Sequence, residues 1–305
     1  MRRTLSGRWV GSAFLLAACQ NQAGPGPARP THDLVFEGYL TSTPELLMLD
    51  PTTGAIRRLL EAGTVVMDPE PSPDGKRIAF VVANYVDATG DVFVVNADGS
   101  GLTQLTVAPE LDDQPSWSPD GTHIAFRSFR TQRDGDIWLM DADGGSLINL
   151  TPDPLPGVTD ERRPAWSPNG AQIAYASNAG GNIDLWTMAA DGSDKRRITN
   201  SMELDTEPAW SPDGATIVFR RTDASGSDLY LVPVTGGPLV PLALPGEQRM
   251  PVWSPDGQRL VFVNHGSTTD RPDLYSMRID GIDLRPLVTD AVAEGSLNPA
   301  FLPRP

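Results

Sequence analysis

The residues best suited to chemistry in this chain are carboxylates, and they recur at regular places. Asp68 and Glu70, Asp112 and Asp113, Asp160 and Glu161, Asp205 and Glu207, Glu247 and Glu294 all stand at or near the start of a Pro-x-Trp-like string. Brought together, carboxylates from separate segments focus a negative potential and recruit a cation or a basic segment of a partner. Dispersed, they are a solvated rim on an acidic protein, and both readings stand at this level. Arg162, Arg163 and Arg249 interrupt the series and neutralise part of it. Other chemistry is thinly represented. The three histidines, His32, His123 and His265, are too scattered for a shared metal, and no Gly-x-Ser-x-Gly nucleophile elbow occurs. Asn96-Ala97-Asp98-Gly99 and Asp141-Ala142-Asp143-Gly144 are too short for a calcium loop with its twelfth-position Glu and read as hairpin turns. The expectation is therefore a protein without a catalytic constellation and without a cofactor.

What must position the carboxylates is a repeat. Pro-x-Trp-Ser-Pro-Asp/Asn-Gly occurs at Pro115, Pro164, Pro208 and Pro251, with a degenerate copy at Pro69. Its serines, Ser72, Ser118, Ser167, Ser211 and Ser254, are 46, 49, 44 and 43 residues apart. Eight residues after each serine comes an aromatic: Phe80, Phe126, Tyr175, Phe219 and Phe262. An Asp-apolar-aromatic string follows at Asp91, Asp136, Asp184, Asp228 and Asp273; eight residues on is a turn glycine, and six further an aliphatic. Each unit reads as four short strands. Proline presets the turn after the first strand and glycine supplies the left-handed residue that closes it. Trp117, Trp166, Trp210 and Trp253 hold one fixed place in the first strand, which marks them as packing between units, and Trp138 and Trp186 in third strands read the same way.

The two ends hold complementary halves of one more unit. Phe36 takes the place of the aromatic near the start, while Pro299-x-Phe301 takes that of Pro-x-Trp near the end. A six-bladed all-β propeller over residues 31–305 is predicted, its four-stranded blades closed by pairing of the terminal segments. An open solenoid is the alternative, and it leaves both half-units without partners.

Composition agrees with that body and sets its surroundings. Twenty-nine prolines among 305 residues disfavour long helices, and a formal charge of −15 disfavours nucleic acid, which binds through Lys and Arg. A single Cys excludes an intrachain disulfide. Residues 1–18 read as a signal peptide, with Arg2, Arg3 and Arg8 ahead of a short apolar run. Leu16-Ala17-Ala18-Cys19 resembles the bacterial lipobox, which implies cleavage before Cys19 and a diacylglyceryl group on its thiol. Residues 19–30 then form the lipidated Cys and a Gly- and Pro-rich tether. Gln20 in place of Asp points to the outer membrane if the host has two membranes.

From Pro-x-Trp-Ser-Pro-Asp-Gly and the Asp-aromatic third strand, the chain resembles the TolB-like propeller family over residues 31–305. The resemblance implies a propeller that serves elsewhere as an envelope scaffold, as a regulatory domain of serine peptidases and in polysaccharide lyases. Relatives carry a separate domain before the propeller, where only Gln20 to Pro30 stands in this sequence. The functional expectation is a non-catalytic, lipid-anchored interaction scaffold facing the periplasm. Its partner is an envelope protein, other lipoproteins among the candidates, and its only membrane contact is the lipid anchor. The expected contact is an acidic mouth of Asp68, Glu70, Asp112, Asp113, Glu161, Asp205, Glu207 and Glu247. The alternative is a carbohydrate-active enzyme, or a sugar- or metal-binding propeller, using the central channel.

Overall fold

A computed structural model describes residues 32–38, 44–60, 65–84, 87–131, 134–152, 159–242, 244–265, 272–288 and 298–303. Cys19, residues 1–30 and Glu294 lie outside them. Blade 1 begins with β1 (Asp33–Gly38), β2 (Glu45–Asp50) and β3 (Ala55–Arg58). Blade 2 is β4 (Val66–Pro71), β5 (Arg77–Asn84), β6 (Thr89–Asn96) and β7 (Thr103–Gln104). Blade 3 is β8 (Asp112–Trp117), β9 (His123–Ser128), β10 (Asp136–Asp141) and β11 (Ile148–Asn149). Blade 4 is β12 (Glu161–Trp166), β13 (Gln172–Ser177), β14 (Asp184–Ala189) and β15 (Arg196–Arg197). Blade 5 is β16 (Leu204–Trp210), β17 (Thr216–Asp223), β18 (Gly226–Pro233) and β19 (Val240–Leu242). Blade 6 is β20 (Glu247–Trp253), β21 (Arg259–His265), β22 (Pro272–Arg278) and β23 (Arg285–Val288).

The last strand, β24 (Ala300–Leu302), pairs antiparallel with β1 through Asp33–Leu302, Leu34–Phe301 and Val35–Ala300. It supplies the inner strand of blade 1, so the six four-stranded sheets form a closed ring, as the complementary half-units predict. Closure pairs the edge of β1 that an unclosed array would leave open to other chains.

The core lies between blades. Six apolar clusters fill the six junctions, each drawing on two neighbouring sheets. The aromatic at the invariant offset anchors them: Phe36, Phe80, Phe126, Phe219 and Phe262 are fully buried and Tyr175 nearly so. Complete burial of such a side chain contributes roughly 1.5–3 kcal/mol. Trp117 and Trp210 join clusters that include the preceding blade, as expected of interblade packing.

The Ser-Pro-Asp-Gly turns show why the motif repeats. Each serine is buried, and its hydroxyl accepts the N–H of the residue five positions on, at 2.9–3.0 Å: Arg77, His123, Gln172, Thr216 and Arg259. The same hydroxyl donates to the Asp or Asn two positions on, as Ser211 does to Asp213 at 2.5 Å. The glycine has φ of 68–71° in all five copies, a conformation with little cost only for glycine. At the end of the fourth strand a threonine closes the unit. The hydroxyls of Thr106, Thr151 and Thr199 accept the N–H groups of Val92, Ile137 and Leu185 at 2.8–3.0 Å.

Candidate functional site: the channel mouth

Five of the six inner strands bend at the same point. The register of β4, β8, β12, β16 and β20 slips between Met67 and Glu70, Asp113 and Ser116, Arg162 and Ala165, Thr206 and Ala209, and Arg249 and Val252. Within the slip, Asp68, Gln114, Arg163, Glu207 and Met250 have φ of 50–57°, and each is followed by a proline. Proline is tolerated there because a bulge already removes a ladder hydrogen bond. These five residues, with Asn298 in the sixth position, line a cavity of about 270 Å³ on the ring axis.

The bulge also frees backbone N–H groups, and the preceding blade satisfies several of them. Gln114 Oε1 accepts from Arg163 N at 2.7 Å, Glu207 Oε2 from Met250 N at 2.7 Å, and Glu37 Oε2 from Asp68 N at 3.2 Å. Arg163 reaches from blade 4 to Asp68 of blade 2, Nη1 to Oδ1 at 2.8 Å. Asn298 Nδ2 donates to Asp68 Oδ1 at 2.9 Å and to Glu37 Oε2 at 3.2 Å. Asp68, Glu207 and Asp113 surround the Arg163 guanidinium and hold its pKa above the usual value against the opposing effect of burial.

The eight carboxylates expected at the mouth divide into three groups. Asp68, Glu70 and Glu207 line the channel. Asp112, Asp113, Glu161 and Asp205 are buried at the starts of inner strands. Glu247 is exposed at the outer edge of the mouth. Arginines on or just beyond the second strands meet four of these acids. Arg221 Nε and Nη2 each hold Asp205 at 2.8 Å, Arg130 holds Asp112 at 2.6 Å, and Arg220 holds Glu207 at 2.9 Å. Arg127 lies 3.9 Å from Asp113 and 2.9 Å from Asp160, which also pairs with Arg162. Glu161 accepts from Ser177 Oγ at 2.7 Å. The mouth is thus a mixed-charge network.

Burial leaves a second signature. It pushes the Glu70 carboxyl up to about 8, and no ion pair reaches that group among the described residues. Burial, reinforced by Asp68, raises Glu37 to about 8, and burial raises Asp113 to about 7 against the pull of Arg127. Asp112 shifts upward for the same first reason.

Sequence reasoning missed Glu37, Gln114, Met250, Asn298 and the arginines of the second strands. A signal was present. Glu37, Arg127 and Arg220 directly follow the invariant-offset aromatic, and Arg221 comes one residue later. Those positions pair with inner-strand starts, as Asp113 with Arg127 and Asp205 with Arg221. The histidines lie as the strand reading requires. His123 is at the turn end opposite Asp141, whereas His265 is opposite Glu247 at the mouth end. No group of three His, Cys, Asp or Glu side chains suited to a metal ion occurs among the described residues.

Comparison with known proteins agrees with this architecture. The family described as TolB beta propeller domain matches residues 25–154 and 156–303. The chain superposes on TolB from Acinetobacter baumannii with a TM-score of 0.77 and 21% identity, covering 91% of this chain and 68% of that one. For a TolB from Agrobacterium tumefaciens described as putative in its structure, the TM-score is 0.68 at 20% identity, over 85% of this chain and 89% of that one. An oligogalacturonate lyase in complex with manganese gives 0.57 at 16% identity, over 77% and 71%. At such identities the likeness is one of fold. No match occurs among curated proteins.

Proposed function

The chain belongs to the TolB beta propeller domain family, and from that premise we propose that it is a non-catalytic interaction scaffold of the bacterial envelope. A lipid on Cys19 holds it to a membrane facing the periplasm, and a segment of a partner protein docks at the channel mouth. The observation that carries this reading is the ring of Asp68, Gln114, Arg163, Glu207, Met250 and Asn298 around one cavity of about 270 Å³. Six equivalent positions hold six different side chains, so an asymmetric partner fits in one rotation only, and that is a source of specificity. The cavity admits a few side chains, which suits a peptide segment rather than a folded surface.

The paired charges suit such a partner. A segment carrying both signs can replace Arg163–Asp68 or Arg220–Glu207 contacts without leaving a buried charge unpaired, the arrangement that costs most. Glu70, raised to about 8 and without an ionic partner, gives up its proton when a cationic group of that segment pairs with it. Lipid anchoring needs no apolar patch on the body, since the acyl chains supply the membrane affinity. No helix among the described residues is long and apolar enough to cross a membrane.

Site-specific photocrosslinking tests the mouth directly. A photoreactive residue at Gln114 or Met250 is expected to trap one discrete envelope protein, and Glu70→Gln with Arg163→Gln is expected to abolish the product while folding is retained. Equal trapping from outer-strand positions such as Thr103, or an unchanged product in the double variant, removes the mouth assignment.

A further inference from the structure

Three of the six junctions between blades share an arginine contact, and a junction that lacks it while keeping the rest of the site is informative. At the junction of blades 2 and 3, Arg77 places its guanidinium 4.6 Å from the Trp117 ring centroid and donates to the Ala142 carbonyl at 3.4 Å. Between blades 1 and 2, Arg57 donates to the Ala97 carbonyl at 3.0 Å. Between blades 4 and 5, Arg196 donates to the Thr235 carbonyl. Ala97, Ala142 and Thr235 all lie in the turn between third and fourth strands of the following blade. At three junctions, then, that turn binds an arginine of the neighbouring blade.

Blades 3 and 4 depart from the pattern at both arginine positions. His123 begins β9 where Arg77 begins β5, and Ile148 lies opposite Leu139 where Arg57 lies opposite Met48 and Arg196 opposite Thr187. The imidazole turns toward its own blade, with Nδ1 2.7 Å from Thr122 Oγ1 and Nε2 3.5 Å from Asp141 Oδ1. Trp166 stands where Trp117 does, yet its buried indole N–H has no acceptor among the described residues. The indoles of Trp117, Trp210 and Trp253 donate to the carbonyls of Glu70, Ala165 and Ala209 at 3.0–3.2 Å. The result is a cleft of about 510 Å³ with apolar walls from Leu139, Ile148, Leu150 and Trp166 and with Asp120 and Asp191 at its rim. The junction of blades 5 and 6 also lacks the contact, blade 5 having Thr216 and Val240 at the two positions, but there Ile279 takes the place of alanine and packs in the apolar cluster with Trp253.

We propose that the cleft between blades 3 and 4 binds a guanidinium group from outside the chain. Trp166 supplies the ring face that Trp117 gives Arg77, and the Ala190 turn carries the carbonyl that corresponds to Ala142. A planar guanidinium stacks on indole while its five N–H groups donate in the plane, a geometry that a compact ammonium lacks. Leu139, Ile148 and Leu150 accommodate an aliphatic stem. The rim carboxylates stay ionised: the Ser118 hydroxyl holds Asp120 down at about 2, and the Ser193 hydroxyl depresses Asp191. The cleft opens among the Ser-Pro-Asp-Gly turns; Trp166 lines both it and the channel cavity, while His123, Ile148, Asp120 and Asp191 line the cleft alone.

The guanidinium has two chemical sources, a free guanidino compound or an arginine of a partner chain. Isothermal titration of the soluble propeller with agmatine, Gly-Arg-Gly and Gly-citrulline-Gly separates them. Binding of agmatine alone assigns the site to a free guanidino compound. Binding of Gly-Arg-Gly with equal or higher affinity assigns it to a partner's arginine, and the neutral citrulline peptide is expected not to bind. His123→Arg, which restores the residue type found at Arg77, is expected to weaken binding by about tenfold or more, and Ile148→Arg, at the position of Arg57 and Arg196, to do the same. Each variant checks the other should one fail to fold, and Thr103→Ala on the exposed outer strand of blade 2 should leave the affinity unchanged. Failure of both guanidinium probes to bind, or affinity untouched by a folded His123→Arg or Ile148→Arg, overturns the assignment.

Discussion

The two ends of this ring are made from the same repeat and behave as chemical opposites. At the turn end, Asp74, Asp120, Asp213 and Asp256 share one role, and hydroxyl and N–H bonds lower every one of their pKa values. At the mouth end, Glu37, Glu70, Asp112 and Asp113 are raised, with burial as the first cause in each case. The turn carboxylates are held by local partners within a few residues. The mouth carboxylates are held, or left unpaired, by residues from other strands and other blades. Local structure therefore repeats faithfully, and individuality collects where contacts are long-range.

The sharpest way to break this contrast is to remove one partner of a buried mouth pair. Asp205→Ala leaves the Arg221 guanidinium largely buried without its bidentate acceptor, and a loss of about 3–5 kcal/mol is expected by chemical denaturation. A loss below that of the turn variant described next would erase the distinction. Ser211→Ala removes the hydroxyl that serves both Thr216 N–H and Asp213, with an expected cost of about 1–2 kcal/mol. The fold should survive it, because four sister turns remain.

The smallest effect concerns pH and tests the sign. A carboxyl raised to about 8, as in Glu70, favours the folded state fully below its unfolded value and loses that contribution as pH rises through 8. A lowered group such as Asp213 contributes above its unfolded value and loses the contribution as pH falls. Glu70→Gln should accordingly raise the Tm near pH 9 by a few degrees and leave it unchanged near pH 5. An equal shift at both pH values would mean that Glu70 is not held protonated by the channel.

Much of the fold could be read from residue spacing, and the reasons are specific. The turn serine, the aromatic eight residues later and the turn glycine each satisfy a constraint inside one blade, so each recurs at a constant offset. The split blade followed from Phe36 and Phe301 filling complementary places, and β24 pairs with β1 accordingly. The site was less legible. Asp112 and Asp205 look in sequence like Asp68, yet they are fully buried at the starts of their inner strands and paired within their own blades, while Asp68 lines the channel and pairs with Arg163 of another blade. What separates them is the bulge: Asp68 occupies the slipped position with positive φ, where the side chain turns toward the axis.

The sequence by itself determined the number of blades, the place of each strand and the closure of the ring, because those depend on turn chemistry and on apolar residues at short, repeated distances. Only the tertiary structure decided which charges meet. Arg163 reaches Asp68 across 95 residues and Asn298 reaches it across 230, separations along which no local pattern operates. The cleft beside Trp166 arises likewise from two substitutions, His123 and Ile148, whose consequence depends on the neighbouring blade they face. Strand order is written in local free energies, whereas pairing at the axis depends on how six sheets are brought together around it.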